Sequence, residues 1–345
     1  MGKKLNLLVI SSGSAGLLKK AAEIRLHKVT VISPNEFSIY MSNSTKGFDS
    51  IYYNEKRILK GEYDAVITRV GASRDFASKV IHHFQYNLGV WCLQSGSSIN
   101  ICADKVISAQ IMSEKGLRVP RQIYAVDPKD FKFIIDKLGG LPVILKEING
   151  SKGKGIILLE SPRQTNMTLE SFYGSDKKII LQQFLDNGGK DERHIVVGKQ
   201  VVCSMQRSAP KDDIRANVSL AGTGTKITAT KEVADMCVAA VAAIPSLNFA
   251  GVDIMKNKDP KTNEEIPYFI EINSNPGEKI IEITGHNYFE DILNFAQDNF
   301  ETGNPSDTQM IREIYETRAI INNLIDSPGL RDAMSSQLPG QVKII

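Results

Sequence analysis

Two short segments constrain this chain more than any others: Gly251-Val252-Asp253-Ile254 and Ile270-Glu271-Ile272-Asn273-Ser274-Asn275-Pro276-Gly277. Apolar and polar residues alternate in both, which is the period of a β-strand with one buried face. The stretch from Lys256 to Glu265 is polar and contains Asp259-Pro260, a turn signal, so the two halves pair most simply as a hairpin. Glu271 and Asn273 are two apart on a strand and project from one face. Asp253, across the hairpin, completes a set of two carboxylates and one amide. At this point two readings stand. The face is simply solvated, or it holds a hard cation such as Mg²⁺ shared with phosphate oxygens, because so few protein ligands leave coordination positions open.

The rest of the chain reads as an α/β protein with α+β subdomains. Residues 1–100 alternate strand and helix: Leu5–Ile10, a helix after Gly16, Val29–Ile32, Ala65–Thr68, a helix over Phe76–Leu88, then Val90–Leu93. That order predicts an N-terminal parallel α/β layer, to which Ile51–Tyr53 adds a short strand. A second unit spans 101–177. In it a helix over Asp104–Lys115 and a strand near Ile123–Ala125 lead to a helix opened by Asp127-Pro128 and ended by Gly139-Gly140. The strands Pro142–Glu147 and Ile156–Leu159 follow, joined by the glycine loop Asn149 to Gly155. A third unit, 178–303, begins with Ile179–Leu185, has strands near Arg193–Val197 and Gln200–Gln206, and carries a helix, Lys231–Ala243, before the hairpin. In the tail, 304–345, a helix is expected over Thr308–Ile325. Its stripe of Met310, Ile311, Ile314, Ile320, Ile321 and Leu324 would pack on the body or on another subunit.

Composition removes several classes of function. The net charge of +3, with no long basic run, gives no electrostatic case for nucleic acid. Cys92, Cys102, Cys203 and Cys237 lack CxxC spacing, so neither a zinc site nor a disulfide framework is indicated, and reduced thiols in the cytoplasm are expected. The apolar run Leu5–Ile10 is too short for a signal peptide, and no run reaches membrane-spanning length.

Several pieces carry chemistry. Ser11-Ser12-Gly13-Ser14-Ala15-Gly16 lacks the GxGxxG pattern and reads as a tight turn. The loop Gly150-Ser151-Lys152-Gly153-Lys154-Gly155 is not a Walker A loop, since a strand rather than a helix follows it. A glycine-rich hairpin can still close over phosphates with its backbone N–H groups. Lys146, on the strand before it, and Lys105, at the start of an earlier helix, suit phosphate neutralisation, although a lone lysine is more often a solvated surface residue. Gln182-Gln183-Phe184-Leu185 ends an apolar strand and can offer backbone groups to an adenine edge, with Phe184 or Leu185 against the ring; a buried strand end is the plain alternative. Asp191-Glu192-Arg193 follows, and Arg215 with Asn217 forms a pair suited to stabilising charge on a transferring phosphoryl group.

In order and spacing these segments resemble the ATP-grasp superfamily, and within it the RimK-like amino-acid ligases that attach glutamate through α-linked peptide bonds. The resemblance is carried by Asp64 to Gly71, Asp104-Lys105, Val143 to Lys146 with the glycine loop, Gln182 to Leu185, Asp191 to Arg193, Val196-Val197-Gly198, Arg215-Ala216-Asn217, Ala250 to Asp253 and Glu271 to Gly277. It covers roughly residues 1–300, and the tail has no counterpart. It implies an ATP-grasp fold behind a pre-ATP-grasp domain, with a central lid subdomain and a metal-bearing C-terminal one. It further implies that Lys105 and Lys146 hold nucleotide phosphates under a lid at Gly150, Ser151, Gly153 and Gly155. Gln183 and Phe184 fall at adenine, and Asp191, with Arg193 beside it, at the nucleotide. Arg215 and Asn217 fall at the reacting phosphate. Asp253, Glu271 and Asn273 fall at two divalent cations, Mg²⁺ or Mn²⁺.

The activity so implied is ATP-dependent joining of a carboxylate to an amine through an acylphosphate. The substrates expected are an amino acid, glutamate first, and a protein or peptide terminus, with a homo-oligomeric enzyme and no nucleic-acid or membrane partner. A small-molecule or carrier-protein acceptor is the alternative in the same class, and a non-catalytic nucleotide-binding module the alternative outside it. The chain departs from the family at Val218 to Thr225, which keeps glycines but lacks the basic residue of a His-Arg-Gly-Gly stretch, and at Gln183 and Asn275, where relatives often carry glutamate and serine.

Overall fold

The computed structural model describes residues 3–13, 15–41, 50–71, 74–125, 131–147, 156–172, 178–210, 223–259 and 261–302. The N-terminal unit is built on a parallel sheet of β1 (Asn6–Ser11), β2 (Lys28–Ile32), β6 (Ala65–Arg69) and β7 (Trp91–Cys92), in the order β2-β1-β6-β7. β1 and β6 are apolar almost throughout and buried on both faces, as central parallel strands are. α1 (Gly16–Ile24) and α2 (Arg74–His82) follow β1 and β6, and a π-helical turn, His83–Asn87, extends α2.

The strand expected at Ile51–Tyr53 exists but not in this layer. It is β4 (Ser50–Tyr53), in an antiparallel meander with β3 (Phe37–Tyr40) and β5 (Lys56–Arg57). Asn54 and Glu55, both with positive φ, form the two-residue turn that joins β4 to β5, a geometry that matches the twist of antiparallel strands.

α3 (Gly96–Ala103) was not expected. Ser95 caps it by accepting from the Ser98 N–H. Asp104 ends it and at once caps α4 (Lys105–Glu114), accepting from the N–H groups of Val106 and Ile107.

An antiparallel sheet in the order β10-β9-β11-β8 forms the middle unit, from β8 (Gln122–Ala125), β9 (Val143–Glu147), β10 (Ile156–Leu159) and β11 (Ile179–Gln183). α5 (Phe131–Leu138) and α6 (Pro162–Glu170) share a small core with it. Because β11 lies between β9 and β8, the chain returns to this sheet after residue 178 before it enters the next.

The last sheet, antiparallel, runs β14-β13-β12-β15-β16. Its strands are β12 (Lys190–Val197), β13 (Gln200–Ser208), β14 (Thr223–Ile227), β15 (Phe249–Lys258) and β16 (Glu265–Asn273). One face packs on α7 (Lys231–Ala242) through Val196, Val252, Ile254 and Ile272. The other face shares a core with the N-terminal sheet: Ile195, Val197, Met205 and Phe249 pack with Leu7, Val9 and Leu18 and with Tyr288 and Phe289 of α9 (Tyr288–Asn299). α8 (Lys279–Thr284) contributes Ile280 to that core.

Gln94 ties the N-terminal sheet to the C-terminal one. It is fully buried, its Nε2 donates to the carbonyls of Phe249 and Ser274 at 2.7 Å each, and its Oε1 accepts from the Thr68 hydroxyl. Gln94→Leu is expected to cost about 2–3 kcal/mol, because it strands these buried groups without partners. Urea unfolding should show a lower midpoint with an unchanged slope, and an unchanged midpoint would contradict that role.

Candidate active site at the charged end of the C-terminal sheet

Alternation along the strands builds the site. Asp191 and Arg193 lie on the same face of β12 as Ile195 and Val197, Arg207 on that of Met205 in β13, and Asp253 on that of Phe249 in β15. This face is therefore apolar where it meets the N-terminal sheet and charged beyond. Register supplies the rest: Met205 opposes Arg193, Arg193 opposes Asp253, Asp253 opposes Glu271, Arg207 opposes Asp191 and Gly251 opposes Asn273. A bulge after Asp253 shifts the register of β15 on β16 beside the site. Gly251 is required here, since a Cβ at this position would come within 2.9 Å of Pro276 in the loop after β16.

Asp253 is the centre of the cluster and only 2 % exposed. Arg193 donates side-on to it, Nε to Oδ1 and Nη2 to Oδ2, both at 2.7 Å, and Arg207 Nη2 donates to Oδ2 at 2.8 Å. Arg207 also grips Asp191 side-on, with both bonds at 2.6 Å. Burial works against the charge on Asp253, but the two guanidinium groups outweigh it and hold the carboxyl well below the usual range. For Asp191 burial is the stronger influence and raises the carboxyl, with Arg207 opposing it.

Glu271 is the more open carboxylate, 35 % exposed, with Oε1 accepting from Asn273 Nδ2 at 3.0 Å and 3.8 Å from Arg193 Nη2. Lys146 keeps some exposure along its length, but its ammonium is enclosed. That burial lowers its pKa to about 8, with Glu271 acting to raise it and Lys105 to lower it further.

The structure thus brings Asp191, Arg193, Asp253, Glu271 and Asn273 together on one face, with Lys146 within electrostatic reach of Glu271 and of Lys105. Gln183 is placed differently. Its N–H donates to the Arg121 carbonyl at 2.8 Å and its Oε1 accepts from Arg121 Nε at 3.2 Å, so that N–H is committed to the fold. Phe184 is half-buried beyond it. Gly150, Ser151, Gly153, Gly155, Arg215, Asn217 and the tail lie outside the described residues, as do residues 218–222 of the divergent stretch. Gly224, at the end of that stretch, opposes Arg207 across β13 and β14.

Sequence reasoning missed Arg207. Its signal is modest: it is two residues from Met205, which marks the face but not the partner.

A Ser204–His194–Glu192 chain lies on the opposite face, with His194 Nδ1 2.8 Å from Ser204 Oγ and Nε2 3.2 Å from Glu192. His194 is fully enclosed, so the chain is a buried polar tie rather than a nucleophile.

Among the described residues, three carboxylates against two guanidinium groups leave this end of the sheet with one excess negative charge before Lys146 is counted. Asp253, Glu271 and Asn273 present hard oxygen donors from two adjacent strands, which fit Mg²⁺ or Mn²⁺. Bound there, such a cation would neutralise phosphate charge.

Comparison with known proteins bears on the fold and the family. Residues 102–295 match the model of the RimK-like ATP-grasp domain, and residues 7–99 that of the RimK PreATP-grasp domain. A protein named probable alpha-L-glutamate ligase from Coxiella burnetii is 36 % identical over 285 residues, covering 82 % of this chain and 90 % of that one. Among solved structures, the ATP-grasp ligase PsnB, complexed with a phosphomimetic variant of its minimal precursor, Mg and ADP, superposes with a TM-score of 0.66. It is 18 % identical and covers 85 % of this chain and 98 % of its own. The macrocyclase MdnC from Microcystis aeruginosa, bound with precursor peptide MdnA, gives a TM-score of 0.61 at 14 % identity, over 86 % of this chain and 99 % of its own. Fold, matched length and relatives agree that the chain belongs to the RimK-like ATP-grasp family and is a ligase that forms carbon–nitrogen bonds.

Proposed function

We propose that this ligase uses ATP to phosphorylate a carboxylate of a peptide or protein terminus and joins it to the amine of an amino acid, glutamate first among them. The observation that carries the reading is the charged end of the C-terminal sheet, where Asp253 and Glu271 face each other across a hairpin beside Arg193, Arg207 and Lys146. A carboxylate resists amine attack because it is anionic and has no good leaving group. Phosphorylation removes both obstacles, and the amine then displaces phosphate to give an amide, ADP and phosphate.

In this proposal Lys146 and Lys105 hold the nucleotide phosphates, and Arg193 lies beside the transferring group. Arg207 keeps Asp191 and Asp253 in place. Arg215 and Asn217 stabilise charge at the reacting phosphate, and Gly150 to Gly155 form a lid that excludes water from the intermediate. Two divalent cations at Asp253, Glu271 and Asn273 would spread the phosphate charge. Relatives named as glutamate ligases and structural neighbours bound to precursor peptides favour a peptide acceptor over a small molecule. Mass spectrometry of candidate peptides incubated with ATP, Mg²⁺ and each amino acid tests this. An increment of one or more glutamate residues is expected. An increment matching another amino acid would revise the donor, and increments only on small molecules would revise the acceptor.

Lys146 gives the reading a pH signature. With its pKa lowered to about 8, it loses its charge as pH rises above that value, so affinity for ADP should fall between about pH 7 and 9. The stability effect has the opposite sign. Between about 8 and the unfolded value of 10.5 the unfolded chain holds one more proton, so stability rises with pH in that window. Calorimetric titration with ADP across the range checks the first effect, and a flat profile would contradict it.

A further inference from the structure

We propose that Arg193 is an exchangeable counter-ion of Asp253, giving way when a divalent cation takes that carboxylate, and that Arg207 is the fixed one. The proposal rests on the cation reading of Asp253 and Glu271 given above.

A carboxylate offers about four lone-pair sites. On Asp253 three are filled, one on Oδ1 by Arg193 Nε and two on Oδ2 by Arg193 Nη2 and Arg207 Nη2. The one open site is on Oδ1, so a cation that takes both oxygens competes with the guanidinium groups for Oδ2, and one of the two arginines has to yield for that two-oxygen ligation.

What else holds each arginine decides which one. Arg207 is 5 % exposed, and both hydrogens of its Nη2 are used, one on Asp191 and one on Asp253, while its Nε is also on Asp191. Its withdrawal would strip two buried carboxylates at once. Among the described residues Arg193 has hydrogen bonds to Asp253 alone; it is 16 % exposed and has Glu271 Oε1 3.8 Å from its Nη2 as a second anion within reach. A guanidinium that leaves a carboxylate is also well suited to pair with a phosphate oxygen. Arg193 can thus hold Asp253 in shape and then turn to the nucleotide, whereas Arg207 cannot leave without unpairing Asp191.

Two measurements on the full chain test this. The first is Mn²⁺ binding without nucleotide, read from the free-Mn²⁺ EPR signal, for the native protein and Arg193→Lys. Lysine keeps the charge but loses the fork, so competition for the oxygens predicts tightening on the order of tenfold. Equal affinity would overturn the exchange. The second follows the arginine Nε–H signals of the ¹⁵N-labelled native protein during a Mg²⁺ titration with ADP present. One protected signal, the one absent from Arg193→Lys, should lose its protection from solvent while the others persist. Should the variant not fold, the loss of a single protected signal in the native protein remains the expected result. A cation seen to bind with every signal still protected would overturn the exchange and leave the cation reading intact. No Mn²⁺ bound with or without ADP would overturn both.

Discussion

Asp253→Ala should lower amino-acid-dependent ADP release about a thousandfold or more, the scale of losing a main charge-stabilising group, and should also destabilise the fold by about 3–5 kcal/mol. Glu271→Ala should cause a comparable loss of turnover with little loss of stability. The difference follows from burial and pairing. Asp253 is enclosed and answers two guanidinium groups, so its removal leaves Arg193 without its hydrogen-bonded carboxylate and leaves Arg207 with Asp191 alone of the two carboxylates it serves. Glu271 is partly open, and among the described residues its one close hydrogen bond comes from Asn273. Turnover by ADP release and unfolding by urea, measured on both variants, separate the two effects.

Acid should act through the same group. Asp253 has a folded pKa below its unfolded value of about 3.9, so its contribution is complete above that value and is lost as pH falls through the range beneath it. Asp253→Ala should therefore unfold with a shallower dependence on acid than the native protein. Equal stability of the native protein and Asp253→Ala at neutral pH would contradict the electrostatic account of the cluster.

Arg207→Met carries the second large effect, a loss of about 3–5 kcal/mol, because it takes both side-on bonds from buried Asp191 and leaves Asp253 with Arg193. Its Nε and Nη2 make both side-on bonds to Asp191, and no other hydrogen bond to that carboxylate is seen among the described residues. Adding Asp191→Asn to Arg207→Met should recover part of the loss, since the uncompensated charge is then gone. A double-mutant cycle should give a coupling of about 2 kcal/mol or more, within the range measured for residues of one network. Strict additivity would show that the pair is not the unit described here. Arg207→Lys should fall between the native protein and Arg207→Met, because an ammonium keeps the charge but lacks the planar fork that grips Asp191 side-on while reaching Asp253.

Period-two patterning made the hairpin legible, and Asp253 does face Glu271 across it. Partner choice between strands distant in sequence was not legible. Nothing in the local sequence of Ser204-Met205-Gln206-Arg207 says that Arg207 will lie opposite Asp191, because that depends on the register of β13 against β12. Nor does the run Ile179–Gln183 announce that it inserts between β9 and β8 rather than opening the next sheet. α3 escaped because it is short and shows little difference between its faces, with Ser98, Ile99 and Cys102 all buried. Of the small meander the strand at Ile51–Tyr53 was legible, and its antiparallel pairing escaped for a different reason. Its turn residues Asn54-Glu55 lack the glycine that usually marks a positive-φ pair.

The N-terminal unit reaches the site through backbone groups, which a reading of side-chain types does not reveal. Gln94 holds the carbonyl of Ser274, and Arg69 holds that of Pro276 at 3.0 Å while pairing with Glu278 at 3.1 Å. These ties position the loop that follows Asn273, so the α/β layer and the candidate site are linked through that loop.

The central claim is that this site uses ATP to activate a carboxylate as its acylphosphate. Isotope transfer tests it most directly. A peptide acceptor, once identified by its mass increment, is enriched in ¹⁸O at its terminal carboxylate and turned over with ATP, Mg²⁺ and glutamate. The account predicts one ¹⁸O in the phosphate released for each amide bond formed, and none in ADP. Unlabelled phosphate accompanying amide formation, or ¹⁸O recovered in AMP, would contradict it.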